Sequence, residues 1–221
     1  MDFVAKPTRL SRESARRRVI EGGVEAILGS AGFDRAGNLA WSRHENELVH
    51  VVALLVRRGL YNVQWGIVST EAVPIFWGHE AADVDVGLSV VSGTPSSIRH
   101  PAPGQSFRLD ESNDPDSVGL ITAAVADDMR VVERRLGAFG TRKELRDYLM
   151  LNRDRKDRRD FVIPANLPLK VFTAATLAVI DRDPEGCPLV DEAEREMAPF
   201  RDELNVARLH RLRAAASELC A

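Results

Sequence analysis

The chain has 221 residues, 44% hydrophobic and 29% charged, enough apolar material for one large or two small cores. Its net formal charge of −3 mixes both signs, so no overall field favours nucleic acid or a membrane surface. The only two cysteines, Cys187 and Cys220, do not make a disulfide framework in a chain this size, and a reducing cytoplasm is the simplest compartment.

Charge is uneven along the chain. Residues 1–60 hold 10 Lys/Arg against 7 Asp/Glu, residues 61–130 hold 3 against 10, and residues 131–221 hold 17 against 16. An acidic middle lies between two mildly basic flanks, which suits pairing within the fold or between two copies. The opening Met1-Asp2-Phe3-Val4-Ala5-Lys6 lacks an apolar stretch of signal-peptide length. The longest apolar run, Leu167 to Ile180, is too short to span a bilayer.

Residues 1–9 read as a leading loop. Ser11 is positioned to cap a helix over Arg12 to Ala31, with Ala15, Val19, Ile20, Val24, Ile27, Leu28 and Ala31 at helical spacing. Gly22-Gly23 weakens its middle and allows either close packing or a kink. Gly32-Phe33 then ends the helix, the glycine through a left-handed conformation and the phenylalanine by packing back onto the last turn. Gly37-Asn38 is turn chemistry. Leu39, Trp41 and Arg43 alternate with Ala40 and Ser42 as a half-buried strand. Leu48 to Val56 is apolar on both faces and reads as the central strand. Tyr61, Val63, Trp65 and Ile67 alternate as a strand with one wet face. The short connections predict an antiparallel meander.

Residues 70–82 form an aromatic loop around Phe76 and Trp77. Val84, Val86, Leu88 and Val90 alternate with Asp83, Asp85, Gly87 and Ser89, the pattern of a fourth strand. Ser92 to Gln105 is rich in Ser, Gly and Pro and reads as loop, with Phe107-Arg108-Leu109 as a short fifth strand. The remainder is helical. Asp114-Pro115 opens an amphipathic helix through Leu136. Thr141-Arg142-Lys143-Glu144 is a capping box before a shorter helix. Asn152 to Asp160 is a charge run, either more helix or a hinge. Asn166 caps a helix apolar nearly all round to Ile180, hence buried. Pro188 starts another helix, and Val206, Leu209, Leu212, Ala216 and Leu219 mark a last one.

A run of strands followed by a run of helices predicts an α+β fold. The N-terminal helix packs on a four- to five-stranded antiparallel meander, and a C-terminal helical bundle follows. The expected division is 1–112, helix plus sheet, and 113–221, helical, packed together as one unit.

Within the first third, Gly32, Phe33, Arg35, Gly37, Trp41, Arg43, His50, Val51, Val52, Val63, Trp65, Gly66 and Ile67 follow a recognisable order. The pattern runs helix, Gly-Phe, a basic residue and Gly, an aromatic-x-Arg, "His-Val-Val", then "Val-Gln-Trp-Gly-Ile". It resembles a bacterial family catalogued as domain of unknown function 4304. The resemblance implies an α+β fold and carries no catalytic residue.

Five kinds of site come into question. His79-Glu80-Ala81-Ala82-Asp83 has half of a zinc-protease pattern, with Asp83 in place of the second His. With Asp85, the residues His79, Glu80 and Asp83 are the candidate metal ligands of a metal-dependent hydrolase. Nucleophilic catalysis has no local motif, and His50 on the central strand suits either a hydrogen-bonded core role or a base. No P-loop and no G-x-G-x-x-G occurs, so no cofactor is expected, and Gly137 to Lys143 reads as two helix ends meeting. Arg12, Arg16 and Arg17, with Arg153, Arg155 and Arg158, are the candidate nucleic-acid contacts, although the second group alternates with Asp. Tyr61, Trp65, Phe76 and Trp77 are the candidate interface residues. The leading expectation is a non-catalytic cytoplasmic protein that binds another protein or pairs with itself, without a membrane segment. A defence or toxin-immunity setting follows only from the kind of family it resembles.

Overall fold

The computed structural model describes residues 9–57, 60–80, 82–98, 107–108, 114–153, 164, 166–200 and 202–221. The architecture is α+β. Strands β1 (Asp34–Gly37), β2 (Ala40–Glu45), β3 (Leu48–Arg57), β4 (Leu60–Val68) and β5 (Val91–Gly93) form one antiparallel sheet in sequence order. β6 (Phe107–Arg108) pairs with the far end of β4.

Alternation along the strands assigns the two sheet faces. Trp41 pairs with Val52, which pairs with Trp65, and all three are buried in the main core. Val49, Val51 and Val68 point the other way, into a second, smaller cluster with Val73. β3 is therefore buried on both faces from Leu48 to Leu54, whereas Leu55 near its end is 45% exposed.

The N-terminal helix has three parts: α1 (Arg12–Arg18), a π-helical stretch (Val19–Glu25) and α2 (Ala26–Leu28). Ser11 caps it by accepting the Ser14 N–H at 3.0 Å. The expected single α-helix is thus wound differently around Gly22-Gly23. A Cβ on Gly23 would stand 3.0 Å from the Thr122 carbonyl oxygen and 3.2 Å from Val125. The glycines admit close packing against α5 (Pro115–Leu136), and the extra backbone of the π turn sits at that crossing.

α5 starts at Asp114, whose carboxylate accepts the N–H groups of Asp116 and Ser117. α6 (Arg142–Leu151) begins with the expected reciprocal capping box of Thr141 and Glu144. It ends at Asn152, whose side chain donates to the Tyr148 carbonyl at 2.9 Å. The charge run from 154 to 160 lies outside the described residues. α7 (Leu167–Ile180) buries ten residues and is the axis of the helical part. α8 (Gly186–Met197) and α9 (Glu203–Ala216) complete it. One contiguous core holds Trp65 of the sheet together with Met129 and Phe172 of the helices.

Two strand expectations need correction. Leu39 is a turn residue with φ of +67°, and β2 begins at Ala40. Val84 to Val90 is no strand: it contains a 3-10 turn, Val86–Leu88, strand structure resumes only at Val91, and the segment expected as loop after it holds the end of β5 and the short helix α4 (Pro95–Ile98). The alternation over Val84 to Val90 is nevertheless physical. Val84, Val86 and Leu88 cover the second sheet face by packing on the cluster of Val49, Val51, Val68 and Val73. The cover lies so close that a Cβ on Gly66 would stand 2.7 Å from the Ser89 Cβ and closer still to its hydroxyl. Gly66 of "Val-Gln-Trp-Gly-Ile" is glycine because of that approach.

Candidate functional site

The polar chemistry gathers at three junctions. The first joins the N-terminal helix, the sheet and the α5–α6 corner. Gly32 takes φ of +78°, and the Phe33 N–H donates back to the Leu28 carbonyl at 3.0 Å, the bond that closes a glycine-terminated helix. Arg43 on β2 donates to the Ala31 carbonyl at 2.9 Å and lies over the Phe33 ring at 4.8 Å. Its Nη2 stands 3.1 Å from His50 Nδ1, and His50 Nε2 stands 2.8 Å from the Phe139 carbonyl oxygen.

Those partners fix the histidine's tautomer. A carbonyl accepts and a guanidinium donates, so Nε2 carries the proton and Nδ1 accepts. Burial pushes the His50 pKa down; the Phe139 carbonyl opposes this, and Arg43 adds to it. His50 is fully buried, with both ring nitrogens engaged. Of the two roles open to it, the geometry is that of a neutral structural histidine.

The second junction is an ion-pair seam along α6. Arg142 Nε meets Asp181 at 2.6 Å and its Nη1 meets Glu71 at 3.1 Å. Arg146 Nη1 meets Asp183 at 2.6 Å, and Arg153 meets Glu192 at 2.7 Å. The Glu185 N–H and then Arg146 hold Asp183 below the usual carboxylate range. The Arg142 backbone N–H also donates to Glu47, and Asn46 donates to the Gly140 carbonyl at 3.0 Å. Glu71 belongs to the acidic middle of the chain and Arg142 to the basic flank. The uneven charge seen in the sequence therefore pairs, in this instance, within the fold.

The third junction is the aromatic segment. It is not an open loop but a 3-10 turn, Thr70–Ala72, followed by the short helix α3 (Val73–Trp77), ended by Gly78 at φ of +79°. Arg211 donates through Nε to the Ile75 carbonyl at 2.8 Å and through Nη2 to that of Phe76 at 3.2 Å. Arg208 donates to the Phe76 carbonyl at 3.2 Å and lies over the Trp77 ring at 5.2 Å. Phe76 meets Phe172 of α7 edge-on at 5.0 Å.

The sequence-derived site residues scatter among these junctions. Tyr61, Trp65 and Phe76 are core: their relative exposures are 2%, 0% and 2%, so the interface assignment is corrected for all three. Large rings on the inner face of a strand or helix fill the interior before they serve a surface. Only Trp77 remains half-buried, touching both hydrophobic clusters. Its Nε1 is buried and has no hydrogen-bond partner among the described residues.

The metal assignment finds no geometric support. Among the described residues no group of three or more His, Cys, Asp or Glu side chains is arranged to hold an ion. His79 Nδ1 turns to the Glu80 carbonyl oxygen at 2.9 Å, and Asp85 caps the 3-10 turn by accepting the Gly87 N–H at 2.5 Å. Asp83 and Asp85 do not alternate on a strand, because no strand forms there.

The basic residues also divide. Arg12 and Arg16 are solvated, Arg17 pairs with Glu21 at 2.7 Å, and Arg153 belongs to the α6 seam. Arg155 and Arg158 lie outside the described residues.

Sequence reasoning missed the Cys187–Cys220 disulfide, with 5.5 Å between Cα atoms and a sequence separation of 33 residues. It also missed Arg208 and Arg211, whose partners lie more than a hundred residues away. No local pattern announces either. Among the described residues no helix is long and apolar enough to cross a membrane. The chain matches no family model, no curated protein and no solved structure.

Proposed function

We propose that the chain is a non-catalytic binding protein whose ligand is another protein. The observation that carries this reading is an exposed apolar corner where α8 gives way to α9. Phe200, Leu204 and Val206 are 50%, 50% and 51% exposed within seven residues. Leu204 and Val206 lie two apart on α9 and face apart, so the reading rests on Phe200 and Leu204 at the head of the helix, an apolar pair outside the core. The polar side chains favour the same reading. His50, Arg43, Arg142, Arg146 and Arg208 are spent on internal hydrogen bonds, which suits a scaffold better than a reaction centre.

The bacterial setting and a defence or toxin-immunity role come from the resemblance to domain of unknown function 4304, and the cytoplasmic one from the two cysteines. The disulfide adds a condition, since such bonds persist in oxidising surroundings.

The test is capture from lysate by the tagged full chain, with and without nuclease, beside the variant Phe200→Asp/Leu204→Asp. A stoichiometric protein retained after nuclease and lost with the variant supports the reading. Light scattering of the purified chain tests self-pairing in the same way. Capture that nuclease abolishes, or that the variant leaves untouched, overturns the assignment of this corner.

A further inference from the structure

We propose that α9 is a redox-latched strap. The Cys187–Cys220 disulfide holds it against the Phe76–Trp77 turn, and a dithiol that reduces this bond releases it. The inference stands whether or not the exposed corner binds a protein.

The argument begins with how weakly α9 is held otherwise. Its buried residues are Arg208, Leu212 and Ala216, so only two are apolar. Neighbouring α8 buries Leu189, Val190, Ala193 and Met197, and α7 buries ten residues. A helix gains its place in a fold mainly from the apolar face it buries. Leu209 adds a half-buried contact with the core, and the rest of the hold on α9 is arginines reaching carbonyls and one surface ion pair, Arg213 with Glu194. Exposed ion pairs contribute little.

The covalent tie makes up the difference. α8 and α9 are consecutive, joined by residues 198–202 at one end. Cys187 lies in the first turn of α8 and Cys220 lies past the end of α9, so the disulfide closes the opposite end. The packing there is tight: a Cβ on Gly186 would stand 2.9 Å from the Leu219 side chain. Opening the bond leaves a helix covalently fixed at one end only.

The bond is open to attack, because Cys220 is exposed and Cys187 half-buried. A thiolate of the reductant attacks Cys220 Sγ, the sulfur–sulfur bond breaks, and Cys187 leaves as thiolate and takes a proton. The reductant's second thiol then attacks the mixed disulfide. Cys220 leaves and takes the second proton, and the reductant departs as its own disulfide. Two electrons and two protons have passed to the protein.

Release has one local consequence. Arg208 and Arg211 withdraw from the Ile75 and Phe76 carbonyls, and Arg208 withdraws from the Trp77 face. The α3 turn then presents free carbonyls, an indole face and the Trp77 N–H.

Amide hydrogen exchange read by mass spectrometry tests this on the full chain. The oxidised protein is compared with the same protein in dithiothreitol and with Cys187→Ser/Cys220→Ser. Residues 203–219 and 73–78 are expected to lose about 100-fold more protection than β3 and β4, in both the reduced protein and the variant. Equal loss in the sheet, or no loss in those two segments, overturns the proposal. So does a purified protein with two free thiols before reductant is added. A double variant that fails to fold also overturns it, because the disulfide would then staple the whole molecule.

Discussion

Two corners of this molecule solve one problem with the same parts. At the first, a helix ends at Gly32, φ +78°, and Arg43 covers its terminal carbonyl while lying over Phe33. At the second, a helix ends at Gly78, φ +79°, and Arg208 and Arg211 cover its carbonyls while Arg208 lies over Phe76 and Trp77. Both use a left-handed glycine, an aromatic ring and an arginine brought from another element. They differ in what stands behind the arginine. Arg43 sits on a strand inside the sheet and is braced by His50, whereas Arg208 and Arg211 ride on a helix with two buried apolar residues. The same contact is therefore a fixed joint in one place and a detachable one in the other.

Removing the arginines tests this difference most strongly. Arg43→Met removes two charge-assisted contacts and leaves His50 Nδ1 without its donor, an expected loss of about 3 kcal/mol of global stability. A urea transition measures it. Arg208→Met/Arg211→Met is expected to cost less, about 1–2 kcal/mol, with hydrogen-exchange loss concentrated in α3 and α9. If the α9 pair costs more than Arg43, the ranking of the two corners is reversed.

The glycines should behave alike. Gly32→Ala and Gly78→Ala each force a Cβ into the left-handed region and are each expected to cost about 1 kcal/mol. The added Cβ meets only Arg43 Cδ at 3.7 Å in the first case and, in the second, Nη1 of the Arg211 guanidinium that caps the Ile75 and Phe76 carbonyls, at 3.2 Å. A difference well above 1 kcal/mol would show that space, and not backbone conformation, decides one of them.

Acid separates the corners with the smallest effect. His50 has a folded pKa below its ordinary 6.5, chiefly because it is buried. The unfolded chain therefore binds the proton first. The stability that depends on neutral His50 is complete above pH 6.5 and falls as pH drops below it toward the folded value. The carboxylates held low, Glu71 from 4.5 and Asp183 from 3.8, add their own losses further down. The urea midpoint of the wild type should start falling below pH 6.5, and that of His50→Gln should stay level until the carboxylate range. Hydrogen exchange in α3, whose carbonyls are capped by guanidiniums, should not change between pH 6.5 and 5.5 after correction for intrinsic rates. Coincident loss in both corners would contradict their independence.

What could be read from the sequence was whatever lies within a few residues. Gly32-Phe33, Asp114-Pro115, Thr141 with Glu144, and Asn166 each encode a helix end locally, and each forms as expected. β3 was legible because apolar residues at both parities leave no wet face. Val84 to Val90 misled for a physical reason: alternation reports burial on one side, and a chain laid flat over a sheet face shows it without pairing as a strand. The aromatics misled because a ring carries no label for interior or surface until its element is placed. The second corner was illegible because Arg208 and Phe76 are 132 residues apart and nothing in either neighbourhood names the other. The disulfide was hidden for the same reason.

The π-helical stretch at Val19–Glu25 has a consequence for length variation. A π turn carries one more residue than an α turn, so it is a place where the chain has absorbed surplus without moving its ends apart. Deleting Gly22 would let the helix return to regular winding. Buried Ala15, Val19, Val24 and Leu28 step by four, five and four, so without Gly22 they would step by four throughout and keep one inner face. A one-residue deletion in the regular part of the helix would instead turn everything before it by about 100°, the angle one residue subtends. A single-residue gap is therefore easier to accommodate within this seven-residue segment than on either side of it.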